Sequence, residues 1–363
     1  MKVDRDLKKV VVLSDGKPGH LNQSLGIAEQ LESTEIEVIE VEYKAKLTDL
    51  LVRLGGVINN LLKFNVKMAE QILKLALTEQ TYKEIITLEA DLIISAGSSV
   101  AVLNLMLSKV KQAKAIVCMT PSLVGTRPFD LAIVPKHDQP PKRKNIIQTY
   151  GAPNRITSDF IKQEVRSWNE LEKVNLTGLK SPLIGLMVGG TNSYFDITVK
   201  TISLLLDQIM DFITTEDGEI IVTTSRRTPK AVERVLKERL ANHDKCRLLI
   251  IADEWDINPV PMMLGVSDLV VVTEDSVSMV SESVSGNSRV LVTGLDKKKK
   301  NLPRSHQTLQ FLEEQNYIEY CDLANLRTGQ LTELMKQVYL SQEKERLLQD
   351  TYLAVREIEK RFY

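Results

Sequence analysis

The sequence predicts an α/β fold with two doubly wound parallel-sheet domains that face a cleft. Short runs rich in β-branched residues alternate with longer amphipathic segments along the whole chain, a pattern typical of parallel sheets covered by helices on both faces. The length of 363 residues is more than one domain usually needs. A polar stretch over residues 151–181, with glycine and proline, divides the pattern into two halves.

Two series of runs are predicted to be strands. The first series covers residues 10–14, 36–41, 91–95, 115–118, 131–134 and 145–148. The second series covers residues 183–188, 219–223, 247–252, 269–272 and 289–292. Amphipathic segments between these runs predict helices, including a short one over residues 161–174 and a final one over residues 340–363. We therefore expect one domain over residues 1–160 and a second over residues 161–340.

Composition excludes several classes of protein. The 47 basic and 48 acidic residues nearly cancel, which argues against a general nucleic-acid binder. Three widely separated cysteines without a CxxC motif indicate a reduced compartment and no structural zinc. No apolar stretch approaches the roughly twenty residues that span a bilayer, and the first residues do not resemble a signal peptide. We expect a cytoplasmic protein.

The loop after the first predicted strand carries three chemically able side chains. Asp15, Lys17 and His20 supply a carboxylate, a cation and a group that titrates near neutrality, while Gly16 and Gly19 permit tight turns. The loop matches neither GxGxxG nor GxxxxGK[ST], so a dinucleotide site or a P-loop has little support. The alternative is a plain glycine turn in which Asp15 caps the helix.

Two further loops are rich in glycine and serine. After the strand at residues 91–95, Ser98 or Ser99 is expected to cap the next helix. After the strand at residues 183–188, the amides of Gly189 and Gly190 are positioned either to hold a phosphate or simply to form a tight turn.

Two loops of the second domain suggest an anion. Adjacent Arg226 and Arg227 at a helix start are unfavourable without an anion, unless one of them pairs with a carboxylate across the domain. In the loop at residues 273–283, Ser276 is placed to bind a phosphate oxygen and Glu282 to accept the hydroxyls of a ribose. The alternative is a capping Ser276 and a solvated Glu282.

Residues 44–74 combine six basic residues with an apolar stripe. This pattern fits an amphipathic patch on an anionic membrane surface. Burial of the leucines of this stripe against the first sheet is the favoured explanation.

Four stretches of the sequence together resemble the mitochondrial-fission ELM family, plant proteins with many bacterial relatives that are regarded as glycosyltransferases of the GT-B type. The matching stretches are Ser14-Asp15-Gly16-Lys17-Pro18-Gly19-His20 with Asn22-Gln23, Phe129-Asp130 with Val134-Pro135-Lys136-His137-Asp138, Thr224-Ser225-Arg226-Arg227-Thr228-Pro229, and Asp275-Ser276-Val277-Ser278-Met279-Val280-Ser281-Glu282. They are spread over residues 10–295 and so cover most of the chain.

The resemblance implies two Rossmann-like domains, an acceptor-side domain over residues 1–160 and a nucleotide-sugar-binding domain over residues 161–340. It also implies that the final helix, residues 341–363, crosses back to the first domain. His20 or Asp15 would deprotonate the acceptor. The residues implied to bind the donor are Gly189, Gly190, Thr191, Ser225, Arg226, Arg227, Asp275, Ser276, Ser278, Met279 and Glu282. Those on the acceptor side are Gly16, Lys17, Gly19, Gln23, Gly97, Ser98 and His137.

The leading hypothesis is transfer of a sugar from a nucleoside diphosphate sugar to a lipid-linked or cell-envelope acceptor. We expect no metal and no cofactor, because the only DxD triplet, at residues 4–6, precedes the first strand. The alternatives are a non-catalytic adaptor and a nucleotide-sugar epimerase. The sequence disfavours the epimerase, because it lacks GxGxxG and none of its nine tyrosines lies four residues before a lysine. We also expect peripheral association with the inner face of the membrane.

Overall fold

The computed structural model describes residues 7–45, 65–171, 174–341 and 347–363. The chain forms two compact units: unit 1 is Met1–Arg155 with Gln349–Tyr363, and unit 2 is Ile156–Leu348. The boundaries expected at residues 160 and 340 lie near these divisions. Within the described residues, no helix is long and apolar enough to cross a membrane.

The elements follow one another along the chain as strands and helices in alternation. Those of the first part are β1 (Lys8–Ser14), α1 (Pro18–Ala28), β2 (Thr34–Glu40), α2 (Val66–Ala76), α3 (Glu79–Thr87), β3 (Leu92–Ala96), α4 (Ser98–Lys111), β4 (Lys114–Cys118), β5 (Leu131–Pro135) and β6 (Ile146–Thr149).

The second part begins with a helix. Its elements are α5 (Ser158–Asn169), β7 (Leu183–Val188), β8 (Phe195–Asp196), α6 (Val199–Thr215), β9 (Glu219–Thr224), α7 (Lys230–Leu240), β10 (Cys246–Ile250), α8 (Val260–Val266), β11 (Leu269–Thr273), α9 (Val277–Ser283), β12 (Arg289–Thr293), β13 (Asp296–Lys297), α10 (Gln307–Glu314), β14 (Glu319–Cys321), α11 (Leu323–Arg327) and α12 (Leu331–Leu340). The last helix, α13 (Asp350–Phe362), belongs to unit 1.

Each unit contains one parallel sheet, as the sequence predicts, and each sheet has six strands. The strand orders are β2-β1-β3-β4-β5-β6 in unit 1 and β10-β9-β7-β11-β12-β14 in unit 2. Each predicted strand is present, with bounds shifted by a few residues. The sequence analysis missed β14 at the edge of the second sheet and the antiparallel pair of β8 with β13, because strands of two or three residues leave no periodic signal.

The core of unit 1 explains why its strands are apolar without interruption. Val10 and Val12 of β1 pack on one face of the sheet, with α1 and α13. Val11 and Leu13 pack on the other face, with α2 and α4. Because both faces are covered by helices, both sets of side chains on a central strand must be apolar.

The C-terminal helix is attached to unit 1 by buried polar contacts as well as by apolar packing. Asp350 accepts hydrogen bonds from the amides of Tyr150 at 2.9 Å and Gly151 at 2.6 Å. The hydroxyl of Thr351 accepts one from the amide of Asn154 at 3.0 Å. Burial raises the pKa of Asp350 to about 6, although the two amides act in the opposite direction.

The segment at residues 44–74 is described only in part. Residues 46–64, which carry half of the basic residues of the predicted patch and most of its apolar stripe, lie outside the described residues. Within α2, Ala69 and Leu73 are buried in the core of unit 1 and Ile72 packs against it. Lys67 and Lys74 are exposed, so the described end of the segment has an internal face and a charged external one.

The order of the strands places two loops of each unit at a switch point. In unit 1, β2 lies on one side of β1 and β3 on the other, so the connections after β1 and β3 leave in opposite directions. In unit 2, β9 and β11 flank β7 in the same way. Ligands of doubly wound sheets bind at the carboxyl ends of the strands at this point. Both candidate sites are therefore built from the loops after these strands.

The carboxyl of Asp350 is expected to make stability depend on pH. Its folded-state pKa of about 6 lies above the ordinary 3.8, so the folded state holds a proton that the unfolded state releases. The free energy of unfolding therefore falls as pH rises between these two values. Asp350→Asn keeps an acceptor oxygen without a charge, and it should remove this fall and stabilise the protein at pH 7 by up to about 3 kcal/mol.

Urea denaturation from pH 4 to pH 7 measures this effect. Asp159→Asn, at an exposed carboxylate of α5, is the matched control and should retain the wild-type profile. An Asp350→Asn variant that loses as much stability as the wild type over this range would contradict the assignment.

Candidate functional site

The loop at the switch point of unit 1 is organised around Asp15. Its side chain is only 6% exposed. One carboxylate oxygen accepts hydrogen bonds from the hydroxyl of Ser99 at 2.5 Å, from Lys17 Nζ at 3.0 Å and from His20 Nδ1 at 3.0 Å. Burial raises the pKa of Asp15, but the hydrogen bonds from Ser99 and Lys17 and the interaction with His20 outweigh it and lower the pKa to about 2. Asp15 is therefore an anion near neutral pH and serves to orient its partners.

His20 is the side chain that Asp15 orients. Its Nδ1 is paired with Asp15, whereas Nε2 makes no hydrogen bond within the part of the chain that the structure describes. The side chain is 22% exposed. A carboxylate on Nδ1–H leaves Nε2 with a lone pair, so the arrangement suits proton transfer through Nε2.

The absence of a side chain at Gly97 leaves room for the imidazole of His20. Its φ is +84°, and a Cβ there would lie 2.4 Å from Cε1 and 2.5 Å from Nδ1 of His20. The His20 ring thus packs directly on the backbone of the turn after β3. Only glycine combines this φ with this close approach.

Ser98 and Ser99, which follow β3, do not make the helix-capping hydrogen bond that the sequence predicts. Helix α4 is capped by Gly97 without a side-chain hydrogen bond, so the predicted capping by Ser98 or Ser99 is wrong. Ser98 Oγ instead accepts from the amide of Ser122 at 2.8 Å. Ser99 donates to Asp15, and its carbonyl accepts from the hydroxyl of Tyr43 at 2.7 Å. Sequence analysis had assigned Ser99 no role beyond capping and had not singled out Tyr43.

Gly16, Gln23 and His137 were also predicted for the acceptor side of unit 1. Gly16 has φ +76° beside Glu40. Gln23 is buried in α1, and its Oε1 has no hydrogen-bond partner among the described residues. His137 lies on a short 3-10 turn after β5, which β4 separates from β3. Burial lowers the pKa of His137, against the effect of Asp138.

At the switch point of unit 2, Asp275 joins three loops. Its carboxylate is fully buried. It accepts hydrogen bonds from the amide of Gly190 at 2.8 Å, from the hydroxyl of Thr273 at 2.7 Å and from Arg227 Nη2 at 3.3 Å. Burial raises the pKa of Asp275, and these hydrogen bonds oppose that rise. The loops after β7, β9 and β11 thereby meet on one side chain.

The two glycines after β7 are required by this packing. A Cβ at Gly189 would lie 2.1 Å from Asp275 Oδ1, and one at Gly190 would lie 2.3 Å from Arg227 Cβ. The hydroxyl of Thr228 adds a hydrogen bond to the carbonyl of Gly189. The turn therefore has no room for a side chain.

The amides of Gly189 and Gly190 already have hydrogen-bond partners within unit 2, which revises the expectation that they bind a phosphate. The Gly189 amide donates to the Thr273 hydroxyl at 2.8 Å, and the Gly190 amide donates to Asp275. Both amides are used inside the unit, so the tight-turn alternative describes them better. Arg227 likewise pairs with a carboxylate of its own domain, the alternative to an anion that the sequence left open.

The other predicted donor residues lie around this centre. Arg226 is exposed, and its charge helps to lower the pKa of Asp253, after the larger effect of Lys230. Ser276 is the N-cap of α9 and accepts from the amide of Met279 at 3.5 Å. The partly exposed residues on or beside the loops are Thr191, Ser225, Ser276, Ser278, Met279 and Glu282. Among the described residues, no group of three or more His, Cys, Asp or Glu side chains is arranged to hold a metal ion.

One cluster in unit 2 was missed by sequence analysis. Glu274, next to Asp275, is fully buried and accepts hydrogen bonds from His306 Nε2 at 2.6 Å, the Tyr320 hydroxyl at 2.8 Å and the Leu295 amide at 2.6 Å. The three side chains lie far apart in sequence. The available signal was that His306 is one of only four histidines and follows a lysine-rich run.

Comparison with known sequences gives one family and distant relatives. A family model described as mitochondrial fission ELM1 matches residues 18–362. The mitochondrial fission protein ELM1 of Arabidopsis thaliana is 26% identical over 190 residues, which are 46% of this chain and 43% of that protein. An uncharacterized protein of Rickettsia prowazekii is 25% identical over 317 residues, 77% of this chain and 82% of that protein. The match thus spans less than half of the Arabidopsis protein.

Several solved structures with a similar fold are named as UDP-GlcNAc 2-epimerases. The UDP-GlcNAc 2-epimerase of Methanocaldococcus jannaschii has a TM-score of 0.56 at 12% identity, over 98% of this chain and 100% of that chain. The enzyme of that name from Neisseria meningitidis, bound to UDP-GlcNAc, has a TM-score of 0.52 at 10% identity, over 98% and 100% of the two chains. At such identities the likeness concerns the fold alone, and it confirms the predicted GT-B-like α/β class with two parallel sheets.

Gly97 provides a test of the unit 1 geometry, with Gly125 as a matched control. Both have positive φ, +84° and +66°, but a Cβ at Gly125 meets nothing within 4 Å. Gly125→Ala should cost about 1–2 kcal/mol for its left-handed backbone. Gly97→Ala should cost more, because the new methyl group also displaces the His20 ring. Denaturation gives the free energies of unfolding, and imidazole NMR reports the displacement. Equal losses with an unmoved His20 resonance would refute the proposed packing.

Proposed function

Since the chain belongs to the mitochondrial fission ELM1 family, we propose that it is a glycosyltransferase of the GT-B type that uses a nucleoside diphosphate sugar without a metal ion. The family assignment agrees with the resemblance drawn from the sequence. The observation that carries the proposal is the Asp15–His20 pair, in which a carboxylate holds Nδ1 and leaves Nε2 available.

The proposed reaction needs a base for the acceptor. The acceptor hydroxyl oxygen attacks the anomeric carbon of the donor sugar, and its proton passes to Nε2 of His20. The bond from the anomeric carbon to the phosphate oxygen breaks, and the nucleoside diphosphate leaves with the electron pair. Asp15, anionic near neutral pH, keeps the His20 ring in place and stabilises the positive charge that the ring gains.

Unit 2 is assigned to the donor. Arg226 is exposed on the loop after β9, where its positive charge attracts a diphosphate and stabilises the charge that develops as it leaves. Glu282 on α9 is assigned to the ribose hydroxyls and Ser276 to a phosphate oxygen. The names of the fold neighbours, which refer to UDP-sugars, support a UDP-sugar as the first donor to test.

A nucleotide-sugar epimerase is the second candidate, suggested by the names of the fold neighbours. The sequence argument against this activity rested on the missing dinucleotide fingerprint and on the missing tyrosine–lysine spacing, but neighbours named as epimerases have the same fold as this chain. The fold therefore does not separate the two reactions. Proton NMR of UDP-GlcNAc incubated with the protein distinguishes them, since an epimerase inverts the configuration at one carbon of the sugar without any acceptor.

An adaptor without catalysis is the third candidate, suggested by the name of the Arabidopsis relative. Such a protein would keep the fold but would not transfer sugar. A lipid-linked or cell-envelope acceptor and a cytoplasmic site of action at the inner membrane face belong to the proposal. Cell fractionation and liposome sedimentation test this location.

His20→Gln is the test of the proposed reaction. Glutamine can still donate to Asp15 but does not take up a proton, so transfer should fall by about 10²–10⁴-fold while donor affinity stays unchanged. Affinity for UDP- and GDP-sugars is measured by calorimetry, and transfer by release of nucleoside diphosphate with simple alcohols and isoprenyl lipids as acceptors. His243→Gln, at an exposed histidine of unit 2, is the control.

Arg226→Ala should show the opposite pattern, with weakened donor binding, whereas Arg234→Ala on the exposed face of α7 should change nothing. A wild-type protein that binds no member of the panel at millimolar concentration would overturn the proposal. So would a His20→Gln variant with undiminished transfer.

A further inference from the structure

The donor site of unit 2 has fewer hydrogen-bond donors to offer a diphosphate than its loops suggest. The amides of Gly189 and Gly190 are engaged by Thr273 and Asp275, and Arg227 is paired with Asp275. A diphosphate carries several acceptor oxygens and needs positively charged donors around it. Other groups at this edge of the sheet must therefore contribute.

The Glu274 cluster contains a histidine with an unused nitrogen. His306 Nε2 hydrogen-bonds Glu274, and the described residues make no hydrogen bond to Nδ1. The side chain is 20% exposed. Glu274 itself is fully buried, and Tyr320 and the Leu295 amide supply its other hydrogen bonds. The imidazole is thus held through Nε2, and its side chain is partly exposed.

His306 also lies beside the loop that follows β7. Its ring stacks on Phe195, with 5.5 Å between the ring centroids. The amide of Phe195 donates to Asn192 Oδ1 at 2.9 Å, and Asn192 Nδ2 donates to the carbonyl of Asp275 at 3.4 Å. A short chain of contacts therefore connects the imidazole with the centre of the site.

The segment before His306 is strongly positive. Residues 297–304, here named the basic arm, contain four lysines and Arg304 and no acidic residue. Lys298 Nζ donates to the carbonyl of Asn192 at 3.2 Å, and Lys299 Nζ lies 4.7 Å from the centroid of the Tyr194 ring. The basic arm thus folds onto the same loop as His306, and its charge raises the local concentration of anions.

We propose that His306, positioned by Glu274, contacts the diphosphate of the nucleotide sugar and that the basic arm supplies the surrounding positive charge. The assignment rests on the proposed function, since it specifies how unit 2 holds that donor. An imidazolium between a carboxylate and a phosphate donates one charge-assisted hydrogen bond to each. Glu274 takes the first of these bonds, and the diphosphate takes the second through Nδ1.

Calorimetry with UDP, GDP, uridine and guanosine tests this assignment. His306→Gln should weaken binding of the matching nucleoside diphosphate by about tenfold or more, the loss of one charge-assisted hydrogen bond. Binding of the nucleoside alone should stay unchanged, because the nucleoside lacks the diphosphate. His243→Gln is the control and should bind both ligands as the wild type does.

Imidazole NMR of the wild type gives an independent readout that does not require the variant to bind. The chain has four histidines, and the signal that His306→Gln removes identifies His306. Addition of the nucleoside diphosphate should shift its Nδ1 resonance toward the imidazolium position.

The outcomes distinguish failure of the role of His306 from failure of the proposed function. Equal affinities of wild type and His306→Gln for the diphosphate, or an unshifted Nδ1 resonance at saturation, would overturn the role of His306 and leave the proposed function standing. A wild type that binds no nucleoside diphosphate would overturn both.

Discussion

A buried carboxylate at each switch point is the constraint on which the rest of the site depends. Burying a carboxylate is costly unless hydrogen bonds replace its water, so Asp15 and Asp275 gather donors from loops that are distant in sequence. The donors in turn fix the backbone around them. Glycine is required at positions 97, 189 and 190 because, in each case, a side chain of the resulting cluster occupies the space of a Cβ.

The two carboxylates have opposite properties because their surroundings differ. Burial raises the pKa of Asp15, but its hydrogen bonds from Ser99, Lys17 and His20 outweigh that effect and lower the pKa to about 2. Asp275 is fully buried among largely neutral donors, and burial raises its pKa. In the proposed reaction, the anionic Asp15 leaves His20 as the group of unit 1 that takes up the proton. Asp275 instead holds loops together, while Arg226 and the adjacent Glu274–His306 pair are the groups that we propose for binding the diphosphate.

Sequence could predict the parallel sheets and the loops that matter, because β-branched runs and the polar turns after them are local signals. It could not predict which groups meet within a loop cluster. Gly190 and Asp275 are 85 residues apart, and Glu274 and His306 are 32 apart, so the amides predicted for phosphate and the histidine that was missed depend on tertiary contacts. Ser98 and Ser99 were expected to cap a helix from their position alone. The left-handed Gly97 turns them toward Ser122 and Asp15 instead.

The most direct test of this account is amide hydrogen exchange in Asp275→Ala. If Asp275 holds the three loops together, exchange should accelerate at residues 189–192 and 225–228 of unit 2 and stay unchanged at residues 15–20 of unit 1. Unchanged exchange in both loops of unit 2 would contradict the central role of the buried carboxylate.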